Sequence, residues 1–194
     1  MNTGNAGGYF EFFPEELISV GMQLTLDAWA KLAPTDKAGK EGFSIHFQAI
    51  PLAPDGPVAA RIDFKFLAGF DEDAYFAFEA KRLRIQRKSK IDFNTQAYVG
   101  AEGMERFISG KYAPGQLHGA MLGYVMDGDV LAATSAVKEL VSSSQKKLKL
   151  VTGGEWENSF FLPDATNINQ TRHLRTTNVG NAHGITLQHI FLAA

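Results

Sequence analysis

The chain contains no cysteine. That excludes disulfides, thiolate zinc sites and cysteine nucleophiles together. No run of 18 apolar residues occurs, so no membrane-spanning helix is expected. The opening residues Met1 to Asn5 have neither the basic start nor the apolar stretch of a secretory signal, and a cytoplasmic location is expected. An excess of one charge is also lacking. The formal net charge is −2 over 194 residues, which argues against coating nucleic acid through bulk charge. No two histidines stand at metal-ligand spacing, so a zinc site is not expected. A glycine-rich phosphate loop, a nucleophile elbow and a dinucleotide fingerprint are likewise missing.

What is present is material for an ordinary core. Hydrophobic residues make up 45% of the chain, with 15 Phe and 2 Trp, so neither a disordered nor a fibrous chain is expected. Residues 1–8, rich in Gly and Asn, read as a flexible tail, and residues 9–194 as a single domain. A helix is expected from Pro14, with Leu17, Val20, Leu24, Ala28 and Leu32 on one stripe. Three strand-like runs follow at Phe43–Leu52, Val58–Leu67 and Ala74–Leu83, joined by short polar links that suggest hairpins. Helices are expected over Glu102–Ser109, Leu117–Val125 and Val130–Ser144. Late strands are expected at Phe160–Leu162 and Ile185–Leu192. The order gives a mixed α/β (α+β) domain with a mixed sheet.

Charge is concentrated rather than abundant. Lys81, Arg82, Arg84, Arg87, Lys88 and Lys90 fall within ten residues, and Lys146, Lys147 and Lys149 form a second knot read as a solvated helix end. Just before the first cluster, alternation sets Phe76, Phe78 and Ala80 on one face of a strand and Ala77, Glu79 and Lys81 on the other. In the preceding strand Ile62, Phe64 and Phe66 oppose Arg61, Asp63 and Lys65. If the apolar faces pack together, Asp63, Glu79 and Lys81 gather on one side. A carboxylate and an amine in so apolar a strand are costly unless paired or occupied in binding. Two carboxylates and a main-chain carbonyl can hold Mg²⁺, which prefers oxygen ligands. A nearby lysine can orient a water and stabilise developing phosphorane charge. The basic run after Lys81 would then lie where a nucleic-acid backbone passes.

Ile62-Asp63, followed sixteen positions after the Asp by Glu79-Ala80-Lys81, resembles the PD-(D/E)xK, restriction-endonuclease-like nucleases, as does the helix–three-strand–helix order around it. The resemblance covers about residues 10–130 and implies an αβββαβ core with a mixed central sheet flanked by helices. It implies a Mg²⁺ (or Mn²⁺) cofactor on Asp63 and Glu79, with Lys81 catalytic and Glu16 (or Glu15) joining from the first helix. It also implies a nucleic-acid substrate, DNA before RNA, a homodimer or subunit of a larger complex, no membrane partner, and roles such as phage defence. Arg82, Arg84, Arg87, Lys88 and Lys111 would contact phosphates. His173 and Arg175 share a face if their segment is extended, and could grip phosphate too. A lone Glu-x-Lys triplet is expected by chance in this composition; the strand context gives it weight. The rival from another class is a non-catalytic nucleic-acid-binding or complex-docking module on the same fold. A further one is an interaction protein whose acids pair internally. His46 reads equally well as a core histidine, His118 as a packing residue before a catalytic one, His189 as part of a buried strand, and His183 carries no signal.

Overall fold

The computed structural model describes residues 64–68, 71–176 and 182–193. The helix expected from Pro14, the strand at Phe43–Leu52, the tail at 1–8 and the site residues Glu16 and Asp63 lie outside them.

Eight strands and three helices occur in this part of the chain. They are β1 (Phe64–Ala68), β2 (Asp71–Leu83), β3 (Ile85–Arg87), β4 (Lys90–Asp92), α1 (Thr95–Val99), α2 (Met104–Ile108), β5 (His118–Val125), α3 (Val130–Ser143), β6 (Glu157–Asn158), β7 (Ile168–Thr176) and β8 (Ala182–Ala193). Six strands form one sheet in the order β1-β2-β5-β8-β7-β6, and β3 and β4 form a separate hairpin. β5 runs parallel to both its neighbours, β2 and β8, whereas β1 and β7 join antiparallel on either side. The mixed sheet follows from the connections. The parallel partners are joined only after intervening segments that contain helices.

Each sheet face buries its own cluster. Phe76 and Phe78 of β2, Ala120 and Leu122 of β5, Ile190 and Leu192 of β8, and Ile168 of β7 pack on one side, where Phe161, Leu162 and Ala165 cover them. On the other side Ala77, Leu83, Met121, Leu187 and Phe191 meet Tyr98, Phe107, Val137 and Val141 from the three helices. α3 presents Ala133, Val137 and Val141 at four-residue intervals, and its start is capped by Asp129, whose carboxylate accepts the Ala132 N–H at 3.1 Å. Glycine lets α2 come close: a Cβ on Gly119 of β5 would stand 2.7 Å from the Phe107 ring.

The helix expected over Val130–Ser144 is α3, that over Glu102–Ser109 contains α2, and the strand expected over Ala74–Leu83 is the greater part of β2. Leu117–Val125 is a strand and not the expected helix. Ala120, Met121 and Leu122 are buried in succession because β5 is covered on both faces, so its sequence shows no two-residue alternation. Phe160–Leu162 is no strand either; it is an irregular segment lying over the sheet. β7 escapes a hydrophobic reading because Thr171, His173 and Arg175 are buried polar side chains.

Candidate active site

β2 lies between β1 and β5, and its alternation carries the site. Ala77, Glu79, Lys81 and Leu83 alternate with Phe76, Phe78 and Ala80, so the two charged residues project toward the helices. Glu79 is only 2% exposed. Removing a carboxylate from water costs several kcal/mol even after relaxation, so cations must compensate it. Lys81 Nζ donates to Glu79 Oε1, and Arg106 of α2 brings Nη1 to 3.6 Å from the same oxygen. Arg106 also donates to the Tyr112 hydroxyl and to Glu102, four residues before it in the turn that leads into α2, and its guanidinium lies 5.2 Å from the Tyr112 ring centroid. Tyr112 is buried. That burial, reinforced by the negative charge of Glu79, pushes its phenol well above the usual tyrosine range, so it stays a neutral O–H.

The result is a compact group of two carboxylates, two cations and a phenol, reached partly from solvent through Lys81, whose side chain is 18% exposed. Arg106 and Tyr112 were not foreseen from the sequence. The four-residue spacing of Glu102 and Arg106 is a visible helical ion pair, but nothing local says that it faces β2. The donor chemistry at Glu79 is hard oxygen, which suits Mg²⁺ or Mn²⁺ and not a soft-ligand metal. Among the described residues no group of three potential metal ligands is gathered. The second expected acid, Asp63, immediately precedes β1 in sequence, and β1 opens with Phe64 paired to Phe78, the residue before Glu79.

The expected phosphate-binding residues divide into exposed and buried ones. Arg82, Arg87, Lys88 and Lys111 are exposed. Arg84 is not: it turns the corner between β2 and β3 with φ 51° and is only 7% exposed. Its Nε lies 2.9 Å from both carboxylate oxygens of Asp127, while Nη2 reaches Asp127 at 2.8 Å and Asp129 at 3.2 Å. The guanidinium holds the Asp127 carboxyl below its ordinary pKa. Arg84 is therefore an anchor between the β2–β3 corner and the start of α3, in place of a phosphate ligand.

His173 and Arg175 also depart from expectation, since both are fully buried. Arg175 donates from Nη1 to the carbonyl of Ala113 at 2.8 Å and from Nη2 to that of Gln116, and its Nε lies 3.2 Å from His183 Nε2. It fastens the segment after α2 to the β7–β8 pair. His173 belongs to a chain of hydrogen bonds through the core. Its Nδ1–H donates to the Leu148 carbonyl at 2.7 Å, so its Nε2 accepts from the Thr171 hydroxyl at 2.7 Å. Thr171 Oγ1 accepts in turn from His189 Nε2 at 2.8 Å. His189 Nδ1 is then an acceptor for the Tyr98 hydroxyl at 3.2 Å, and that same hydroxyl also faces the Met121 carbonyl at 3.2 Å. With both rings neutral, four protons serve five links, and the Tyr98 hydrogen is shared between two acceptors. Burial pushes His173 down to about 4 and His189 down to about 3, His173 adding to the latter shift. Both rings are neutral at pH 7. Met121, where the chain ends, is the partner of Glu79 across β2 and β5.

No family model matches this sequence, and neither a curated protein nor a solved structure matches it. Among the described residues no helix is long and apolar enough to cross a membrane.

Proposed function

We propose that the protein is a metal-dependent nuclease of restriction-endonuclease-like architecture that hydrolyses phosphodiester bonds, in DNA before RNA. The observation that carries this reading is the buried Glu79 with Lys81 two residues along the same strand face, both on an interior strand of the sheet. A purely structural role would be filled more cheaply by two apolar residues, because a buried ion pair rarely repays its desolvation. The order β1, β2, helices, β5 supports the reading further, since it follows the later part of the αβββαβ core.

In this reading Glu79 and Asp63 would hold Mg²⁺ or Mn²⁺. The bound metal supplies polarisation of the phosphate and a lowered pKa for water. Lys81 orients the attacking water with its ammonium and neutralises charge that develops on the phosphate oxygens. Arg106 and Tyr112 fix the Glu79 carboxylate: Arg106 balances its charge and Tyr112 walls it from bulk solvent. Glu16 would join the metal-binding acids. Arg82, Arg87, Lys88 and Lys111 are exposed cations for the backbone of the substrate.

A second reading, a non-catalytic nucleic-acid-binding or docking module, is favoured by one observation. Glu79 Oε1 is already engaged by Lys81 and lies close to Arg106, as in a settled ion pair. Incubation of the full chain with supercoiled plasmid, single-stranded DNA and RNA separates the two. The nuclease reading predicts cleavage with Mg²⁺ or Mn²⁺ that stops with a chelator. Salt-sensitive binding with no cleavage under any metal would leave the docking module as the account.

A further inference from the structure

The β3–β4 hairpin stands apart from the six-stranded sheet and carries three cations within four residues. Arg87, Lys88 and Lys90 surround its turn, against one carboxylate, Asp92, which lies 3.1 Å from Arg87. Gln86, Arg87, Lys88, Ser89, Lys90 and Ile91 are all exposed. In a chain of net charge −2, this makes the hairpin a basic projection. Its base is fixed. Arg84 grips Asp127 and Asp129 there and lies 4.8 Å over the Phe93 ring, and the returning leg is tied where Asn94 Nδ2 donates to the Arg82 carbonyl at 2.8 Å. The Arg84 N–H also donates to the Phe93 carbonyl at 3.4 Å, and the Met126 N–H to the Leu83 carbonyl at 2.9 Å. The hairpin leaves directly from the end of β2, the strand that holds Glu79 and Lys81.

From this placement we infer that the β3–β4 hairpin is a two-stranded ribbon that enters the major groove of B-form DNA. The inference rests on the nuclease reading only for the substrate being a nucleic acid. The dimensions agree. Strands about 4.8 Å apart, with side chains on both faces, suit a groove about 12 Å wide. Three residues per strand give about 10 Å of reach against a groove depth of about 8.5 Å. The cations gather at the turn, which an inserted ribbon brings to the groove floor, where the N7 and O6 acceptors of guanine suit Arg and Lys, and Ile91 lies farther back on the returning leg. Duplex RNA is excluded by shape, because its major groove is too narrow to admit the ribbon. The anchored base means that little ordering entropy is lost on insertion.

The test uses the full chain carrying Glu79→Gln, in the presence of chelator, so that binding is read without cleavage. Fluorescence anisotropy compares a 20-base-pair DNA duplex, the same single strand and the matching RNA duplex across salt concentrations. Duplex DNA is expected to bind most tightly. Adding Arg87→Gln, Lys88→Gln and Lys90→Gln is expected to weaken duplex DNA binding on the order of a hundred-fold near 0.1 M salt. The salt slope should also fall, because three cations are removed. Because these side chains are exposed, the thermal midpoint should not move. Unchanged duplex binding in the triple variant overturns the inference, and so does tighter binding of single strands or duplex RNA than of duplex DNA. Failure of the nuclease reading is recorded separately: it is the absence of metal-dependent cleavage by the wild-type chain while hairpin-dependent duplex binding persists.

Discussion

Lys81→Met is expected to slow metal-dependent cleavage at least a hundred-fold while leaving KM for the nucleic acid nearly unchanged. The reason is the position of the ammonium. It bonds Glu79, and its side chain remains partly open to solvent, so in the proposed mechanism it is the cation that meets both water and phosphate. Loss of one preorganised electrostatic group at a reacting centre costs about a hundred- to a thousand-fold. The fold should survive, because Arg106 remains 3.6 Å from Glu79 and continues to balance the buried charge. The expected loss of stability is about 1–3 kcal/mol, the cost of a buried acceptor that loses one partner. Lys81→Arg separates structure from chemistry. It restores the ion pair but replaces the compact ammonium by a planar fork, so stability should return while kcat stays low. Wild-type rates in either variant would remove Lys81 from the reaction.

The second large effect concerns acid. His173 and His189 are buried neutral, with folded-state pKa values of about 4 and about 3, against about 6.5 in the unfolded chain. Lowered histidine pKa values mean that the unfolded chain binds protons first as the pH falls. The native state is therefore fully favoured above pH 6.5 and loses stability as the pH drops toward 4. At 1.36 kcal/mol per unit for each ring, the combined loss by pH 4 is about 6 kcal/mol. Between pH 5 and 6 each ring contributes about one proton to the slope of stability against pH. Urea unfolding at closely spaced pH values checks this. His189→Gln, which does not titrate, is expected to reduce the slope by about one proton relative to wild type. An unchanged slope would mean that His189 is charged in the folded protein, with the chain from Leu148 to Met121 fully supplied with protons.

Legibility from the sequence followed the physical origin of each feature. β2 and α3 could be read because a two-residue or four-residue rhythm is printed in them: Phe76, Phe78 and Ala80 on one, Ala133, Val137 and Val141 on the other. β5 lost its rhythm through burial on both faces. β7 lost it because its interior side chains are hydrogen-bonded polar groups, whose partners Leu148, Ala113 and Gln116 come from distant segments. The same distinction governs the site. Glu79 and Lys81 were legible as charges placed in an apolar strand. Arg106 and Tyr112 were not, because their position against Glu79 depends on how α2 folds over the sheet. Arg84, His173 and Arg175 looked like surface cations, since sequence records that a residue is basic but not whether carbonyls or carboxylates enclose it. The basic run from Lys81 to Lys90 was legible as a nucleic-acid contact, but the β3–β4 hairpin that carries part of it was not, because its strands are only three residues long.

The central claim is that Glu79 and Asp63 form one metal site served by Lys81. The most direct measurement is calorimetric titration of Mg²⁺ and Mn²⁺ into the wild-type chain and into Asp63→Ala with Glu79→Ala, both checked for folding by circular dichroism. The account predicts saturable binding by the wild type, tighter for Mn²⁺, and none by the folded double variant. Equal binding by the two proteins would place the metal elsewhere, and no binding by the wild type, with or without duplex DNA, would contradict the metal site altogether.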